Sequence, residues 1–366
     1  MPESPFLVID QERVRDNYRA LHNALPTTRI RFAVKASPVP ELIRLLDQHG
    51  AEFDVASVGE IELCLDAGIA PARMCYGNPI KKAAHIAAAY AAGVRRYAFD
   101  TEDDLLRIAE HAAGSEVECR FLSSAPESKT PFGTKFGCTP TEAFRLLVRA
   151  VDLGLIVAGP YFHVGSQQLD PQAWRIGIEQ AGEIVAALAD KDIRVSSVNI
   201  GGGLPISYVD AVPALDDIAA VVMAATTEFL PETAGLVIEP GRALVGSAGT
   251  IHAEVVGVRI APDGRRWVYL DIGRYNGMAE TENEYIAYRF VTERDGDPVD
   301  EAVVAGPTCD GDDVLYQRTR VLLPTTLRAG DRIRILDTGA YTASYSSVSF
   351  NGFPPLTVHV SGAERK

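Results

Sequence analysis

Short apolar runs rich in β-branched or aromatic residues recur along the first two thirds of the chain, at 30–37, 51–57, 72–78, 95–101, 117–123, 155–165, 195–203 and 236–242. Runs of this kind predict strands. Amphipathic stretches separate them. Leu42, Ile43, Leu45 and Leu46 repeat at helical spacing within 40–48. Ser57 stands three residues before Glu60 at the start of 57–66, the capping-box pattern of a helix N-terminus. The Ala-heavy runs at 83–94 and 217–225 read as packed helices, because no stretch of about 18 apolar residues occurs that would suit a membrane. Eight parallel-type strands, each followed by a crossover helix, predict an α/β fold, a (β/α)8 TIM barrel over 25–245. An open doubly wound sheet is the alternative. No G-x-G-x-x-G follows the first strand to support it.

After about residue 245 the pattern changes to strand-like alternation, at 251–260, 267–271, 302–305, 331–336 and 356–360. Turn signals at 261–265 and 329–331 punctuate it. The pattern predicts a C-terminal all-β domain over 246–366, joined by residues 1–24, whose strand FLVID at 6–10 would pair with it.

Composition narrows the function. The chain has 366 residues, a length that suits two domains. Its 35 Lys and Arg against 49 Asp and Glu leave a formal charge of −14, which disfavours a nucleic-acid partner and tolerates a cationic substrate. No secretory signal or membrane span is visible, so a cytoplasmic location is expected. Five scattered cysteines suggest neither a disulfide framework nor a metal site. Cys64, Cys75, Cys119 and Cys138 read as small residues in apolar surroundings. Cys309 differs, because it stands between Pro307 and the acids Asp310, Asp312 and Asp313, which should favour its protonated form.

In a barrel of this type the chemistry gathers at the C-terminal ends of the strands. The first candidate strand ends in Lys35, and a lysine directly after a buried run suits a Schiff base as well as a rim position with its head in water. Another leads into Asp54 and one carries Arg120 within Cys-Arg-Phe-Leu; others end in His163-Val-Gly-Ser166, in Gly201-Gly202-Gly203 and in Glu239-Pro-Gly-Arg242. Singly, each has an ordinary structural explanation. Together they offer a phosphate cup from the glycines, Arg242 and Ser166, plus a lysine and a carboxylate. Pyridoxal 5′-phosphate needs all three, with Glu239 as the acidic partner of its ring nitrogen and His163 over its ring face.

These segments, with Ala-Val-Lys35-Ala, Phe-Asp54-Val-Ala-Ser, Lys135-Phe-Gly, Gly306-Pro-Thr-Cys309-Asp310 and Gly339-Ala-Tyr341-Thr in one order, closely resemble the fold-type III pyridoxal-phosphate decarboxylases of ornithine, lysine and diaminopimelate. The resemblance covers roughly 5–360. It implies an alanine-racemase-like barrel with a C-terminal β domain, and a homodimer in which that domain contributes to the partner's active site. It implies that Lys35 carries the cofactor, Glu239 faces the ring nitrogen and His163 stacks on the ring. Ser166, Gly201, Gly202, Gly203, Arg242 and Tyr341 would bind the phosphate, with Asp54, Glu60 and Arg120 close by. Cys309 would protonate Cα as a general acid.

The Asp310 that follows Cys309 resembles ornithine and lysine decarboxylases, where it pairs with a distal ammonium. Relatives acting on diaminopimelate usually have Glu-Ser there. Asp310 is therefore a candidate substrate contact, and Tyr341 and Phe350 are candidates alongside it. One of Glu280, Glu282 and Glu284 is a further candidate to hold the tail, while at least two are expected on a solvated acidic helix. The expected reaction yields putrescine or cadaverine, as in polyamine biosynthesis. The alternatives are a modified or carrier-linked amino acid of a natural-product or siderophore pathway, and diaminopimelate. Ser37, where the family commonly has Asn, is a departure. A racemase of the same fold would carry an Arg opposite the ring nitrogen. A regulatory homologue would lose the lysine, the cup or the cysteine. A single-domain cofactor carrier would lack the β domain and Cys309-Asp310.

Overall fold

The computed structural model describes residues 2–126, 128–130 and 133–362. A first strand, β1 (Phe6–Asp10), leads into α1 (Gln11–Ala24). Strand and helix then alternate: β2 (Thr28–Ala33), α2 (Pro40–Gln48), β3 (Glu52–Val55), α3 (Val58–Asp66), β4 (Met74–Tyr76), α4 (Ala83–Ala91), β5 (Arg96–Phe99) and α5 (Glu102–His111). The alternation continues through β6 (Glu116–Arg120), α6 (Pro140–Asp152), β7 (Ile156–Tyr161), α7 (Gln172–Ala189), β8 (Ser197–Asn199), α8 (Leu215–Phe229) and β9 (Gly235–Ile238). Strands β2 to β9 pair in parallel in chain order, and β2 closes on β9 through Ile30 opposite Ile238. This is the expected eight-stranded barrel.

Local chemistry explains the helices. Ser57 Oγ accepts from Glu60 N–H while the Glu60 carboxylate takes the Ala56 N–H, so the anticipated capping box forms. Thr101 and Thr139 cap α5 and α6, and Pro140 starts α6 where its missing N–H costs nothing. Leu42, Ile43 and Leu46 bury the apolar stripe of α2.

The remaining elements are the single turn α9 (Arg242–Val245), then β10 (Gly249–Ile260), β11 (Arg266–Leu270), β12 (Arg289–Thr292), β13 (Val299–Ala305), β14 (Val314–Pro324), β15 (Arg332–Leu336) and β16 (Thr357–Ser361). They form a sheet in the order β12-β15-β10-β11-β13-β14, and β1 joins it between β10 and β16, as its sequence suggested. The chain divides into a β unit of residues 1–14, 206–211 and 242–366, and a barrel unit of 15–205 and 212–241. The division gives most of α1 to the barrel unit and places 206–211 in the β unit, which the apolar pattern did not show. The sequence pattern also misses β12 and β14. The polar stretch Gln317-Arg318-Thr319-Arg320 hides β14, which nonetheless pairs with β13 and buries Leu315, Tyr316 and Leu323. Among the described residues no helix is long and apolar enough to cross a membrane.

One ion pair inside the barrel unit carries unusual weight. Lys81 is fully buried, and its ammonium meets Asp104 Oδ2 at 2.5 Å, Ala98 O at 2.6 Å and Asn78 O at 2.9 Å. It ties the loop after β4 to the end of β5 and the first turn of α5. Breaking one side of such a pair leaves a buried charge uncompensated. Lys81→Met is therefore expected to lower unfolding free energy by about 3–5 kcal/mol in urea titration, whereas Glu142→Gln, which breaks an exposed pair with Arg145, is expected to change it by less than about 0.5 kcal/mol.

Candidate active site

Lys35 does not end a strand. β2 stops at Ala33, and Val34–Ala36 form a 3-10 turn closed by the Ser37 N–H donating to Val34 O at 3.0 Å. The turn takes Lys35 out of the pleat, so its side chain is half exposed while Val34 and Ala36 are buried. The ammonium donates to Asp54 Oδ2, at the end of β3, at 3.0 Å. Asp54 is itself buried, and its Oδ1 accepts no hydrogen bond among the described residues. That oxygen lies against Gly77, where a Cβ would come within 1.8 Å of it. The absence of a side chain at Gly77 therefore matters, because any side chain there would push the Asp54 carboxylate away from Lys35. Glu60 stands near the same two groups. Burial raises its pKa above the ordinary carboxylate range, and the Asp54 charge adds to the effect, against the lowering action of the Ala56 N–H and Lys35.

His163 follows β7. Its Nδ1 accepts the Gly165 N–H at 2.9 Å, so in the neutral ring the proton sits on Nε2. Burial, with Arg120 and Lys35 nearby, holds its pKa well below the ordinary value and keeps the ring neutral. Arg120 ends β6 and lies 5.4 Å over the Tyr161 ring and 5.5 Å from that of Phe136. The three glycines after β8 pass close to neighbouring backbone. A Cβ on Gly201 would meet Phe162 O at 2.4 Å, on Gly202 Glu239 O at 2.5 Å, and on Gly203 Gly165 O at 2.4 Å. Gly201 and Gly203 also have φ of +67° and +95°, which favour glycine. Ser166 pairs with Thr130 through its backbone.

Glu239 follows β9 and is buried. Its Oε1 accepts from Arg31 at 2.9 Å and from Asn199 at 2.7 Å. Its pKa is pushed up to about 7, first by burial and then by the charge of Asp54, with Arg31 acting in the opposite direction. The sequence pattern did not single out Arg31, Asn199 or Glu118. The available signal was a polar residue between apolar neighbours in three strand runs, Ile-Arg-Phe, Val-Glu-Cys and Val-Asn-Ile, which in a barrel marks the interior. Cys75 is correspondingly not in apolar surroundings: it is buried beside Arg31 and Glu118.

The β unit gathers the other candidates. The Arg242 guanidinium is buried and donates to both carboxylate oxygens of Glu280 and to Tyr208 Oη. It lies 5.0 Å from the Tyr341 ring, and Tyr341 holds a left-handed φ of +55°, a strained conformation for a bulky residue. Separately, the Cys309 N–H and Sγ both reach Asn351 Oδ1, at 3.3 and 3.5 Å. Asp310 hydrogen-bonds Tyr275, whose ring packs on Phe350 at 4.5 Å between centroids. Asp313 faces inward to the N–H groups of Arg274 and Thr308 and organises the turn, so it is not one of the acids beside the thiol.

The expected acidic helix is not solvated. Residues 279–284 form 3-10 turns broken by a kink; Glu280 is committed to Arg242, and Glu284 accepts backbone N–H groups of Gln317, Arg318 and Thr319. Those N–H bonds override burial and bring the Glu284 pKa down to about 2. Glu282 is the exposed one, and it lines a cavity of about 560 Å3 with Arg274, Tyr275, Asp312 and Ser344 among others.

Residues 11–246 match the family model described as pyridoxal-dependent decarboxylase, pyridoxal binding domain. The lysine/ornithine decarboxylase of Selenomonas ruminantium is 33% identical over 353 residues, 96% of this chain and 88% of that protein. The crystal structure of the Vibrio vulnificus lysine/ornithine decarboxylase complexed with cadaverine superposes with a TM-score of 0.90 at 31% identity, covering 98% of this chain and 95% of that one. The arginine decarboxylase of Paramecium bursaria Chlorella virus, bound to agmatine, superposes with a TM-score of 0.90 at 26% identity, covering 98% of each chain.

The barrel unit's donor set fits the pyridoxal group of that family. A primary amine stands beside a carboxylate with one unbonded oxygen, a second carboxylate bonded through one oxygen lies among buried polar groups, and Gly202 and Gly203 bring backbone without side chains beside them, while the Gly201 N–H is held by Asn199 Oδ1. Gly77→Ala is expected to retain the circular dichroism of the wild type but to lower kcat/KM by about tenfold or more, because it displaces Asp54 from Lys35. Unchanged kinetics would show that the Lys35–Asp54 pair is dispensable.

Proposed function

Because the chain belongs to the pyridoxal-dependent decarboxylases, we propose that it removes the α-carboxylate of a basic amino acid, L-ornithine or L-lysine, to give CO2 and the corresponding diamine. The observation that carries this choice is Asp310, next to Cys309 and hydrogen-bonded to Tyr275, which offers one carboxylate to a cationic tail and repels a second carboxylate. The negative balance of the chain, −14, tolerates the same class of substrate.

When bound, pyridoxal phosphate supplies the sink for the electron pair left at Cα as CO2 departs. The chain's residues do the rest. Lys35 would hold the cofactor through its amine, and Asp54 Oδ2, at 3.0 Å, would take and return the proton of Nζ. The Glu239 carboxylate would stand at the ring nitrogen and favour its protonated form. His163 would cover the ring as a neutral imidazole. The N–H groups of Gly202 and Gly203, with Ser166, would receive the phosphate; Gly201, whose N–H is taken by Asn199 Oδ1, would shape the turn, and Arg242 and Tyr341 would complete that assignment. Cys309 delivers a proton from Sγ to Cα, with Asn351 Oδ1 setting its orientation. In this reading the enzyme is a cytoplasmic homodimer and Cys309, Asp310 and Phe350 serve the partner's site.

The cavity of about 560 Å3 beside Tyr275 favours a second reading, in which the substrate carries a longer or modified tail reaching Glu282 and Asp312. Product analysis by mass spectrometry separates the two. Pyridoxal-phosphate-loaded protein is incubated with L-ornithine, L-lysine, L-arginine and meso-diaminopimelate. Putrescine or cadaverine is expected, and Asp310→Asn is expected to lose about 2–5 kcal/mol in kcat/KM for that substrate. Turnover of diaminopimelate alone, or of none of the four, would overturn the diamine reading.

A further inference from the structure

Side chains fill a barrel in layers contributed by alternate strands, and most such layers are apolar. Here one layer is polar. Arg31 on β2, Cys75 on β4, Glu118 on β6 and Asn199 on β8 come from alternate strands, and all four are buried. Arg31 donates to both oxygens of Glu118, at 2.9 and 3.1 Å, and to Glu239 Oε1 at 2.9 Å. Asn199 repeats the bridge, donating to Glu118 at 2.8 Å and to Glu239 at 2.7 Å, while its Oδ1 accepts the Gly201 N–H at 2.9 Å. The Glu239 N–H donates back to Gly201 O at 2.7 Å. The carboxylate and the first glycine of the cup are thus fixed to one scaffold.

The charges decide what the scaffold does. Arg31 and Glu118 cancel each other, which leaves Glu239 as the carboxylate without a counter-charge of its own. We propose that Arg31, anchored by Glu118, is a positioning residue that fixes the orientation and charge of Glu239, so that the proton shared with the cofactor's ring nitrogen stays on the nitrogen. This rests on the cofactor assignment above. The groups that act electrostatically on Glu239 are Arg31, Asp54, Glu118 and, more weakly, Cys75 and Tyr161. Arg31 is the cation among them that touches Glu239. Glu118 itself is held below the ordinary carboxylate range: burial opposes its charge, and Arg31 and Asn199 outweigh burial. Glu239, by contrast, is pushed up to about 7 by burial and Asp54, so its charge depends on small changes around it.

The test begins without cofactor. Infrared difference titration, with the Glu239 band assigned by Glu239→Gln, is expected to show the carboxyl ionising near neutral pH. Removing the cation favours the protonated acid, so Arg31→Met is expected to move that midpoint upward by about one pH unit or more. Arg31→Lys keeps a cation and is expected to recover most of the shift. The double variant Arg31→Met/Glu118→Met removes opposite charges together and is expected to return toward the wild type, and it keeps the test open if the single variant fails to fold. In loaded protein, NMR of ring-nitrogen-labelled pyridoxal phosphate is expected to move toward the unprotonated nitrogen in Arg31→Met alone. An unchanged midpoint and an unchanged nitrogen signal in Arg31→Met would overturn the proposal. A wild-type protein that takes up no pyridoxal phosphate would overturn the cofactor assignment instead, an outcome read independently of the carboxyl titration.

Discussion

Arg31 divides its guanidinium between Glu118 and Glu239, at 2.9 Å to each, inside a barrel whose packing buries all three. Burying three charges is tolerable only if each is met, and the geometry meets them unequally. Glu118 is bound on both oxygens, whereas Arg31 and Asn199 hold Glu239 through one. The rim above inherits from that inequality a carboxylate that is fixed in place through one oxygen only. Asn199 extends the same tie to Gly201, so Glu239 and the first of the three glycines are held by one side chain.

A second arrangement of the same kind works at the amine. Asp54 lies in the gap that Gly77 leaves and meets Lys35, and Lys81 and Asp104 pin the loop that carries Gly77. The contacts join groups that follow different strands: the turn after β2, the end of β3, the loop after β4 and the first turn of α5. The barrel's parallel register is what brings those ends to one rim, which is why Lys35, Asp54, Arg120, His163 and Glu239 converge although they span more than half of the chain.

Much of this was legible in the sequence. Eight β-branched and aromatic runs marked the barrel because its strands are apolar on the helix-facing side, and the strand-end residues stood out because they are polar directly after such runs. The layer beneath them was not legible. Arg31 and Glu118 alternate with apolar neighbours, and the same alternation describes a strand with one face in water. Only closure of the barrel turns that face inward. Glu280 and Glu284 escaped for a related reason. Local spacing suggested a solvated helix, whereas Arg242 and the β14 backbone, distant in sequence, claim both carboxylates. Strand β14 was hidden by polar residues on its exposed positions.

Everything proposed for the site turns on Lys35 as the amine that carries the cofactor. Borohydride reduction of the pyridoxal-phosphate-loaded protein fixes that linkage permanently, and peptide mapping by mass spectrometry then locates it. The reduced pyridoxyl group is expected on the peptide containing Lys35, and its disappearance is expected in Lys35→Ala. A label on any other lysine, or an undiminished label in Lys35→Ala, would contradict that assignment.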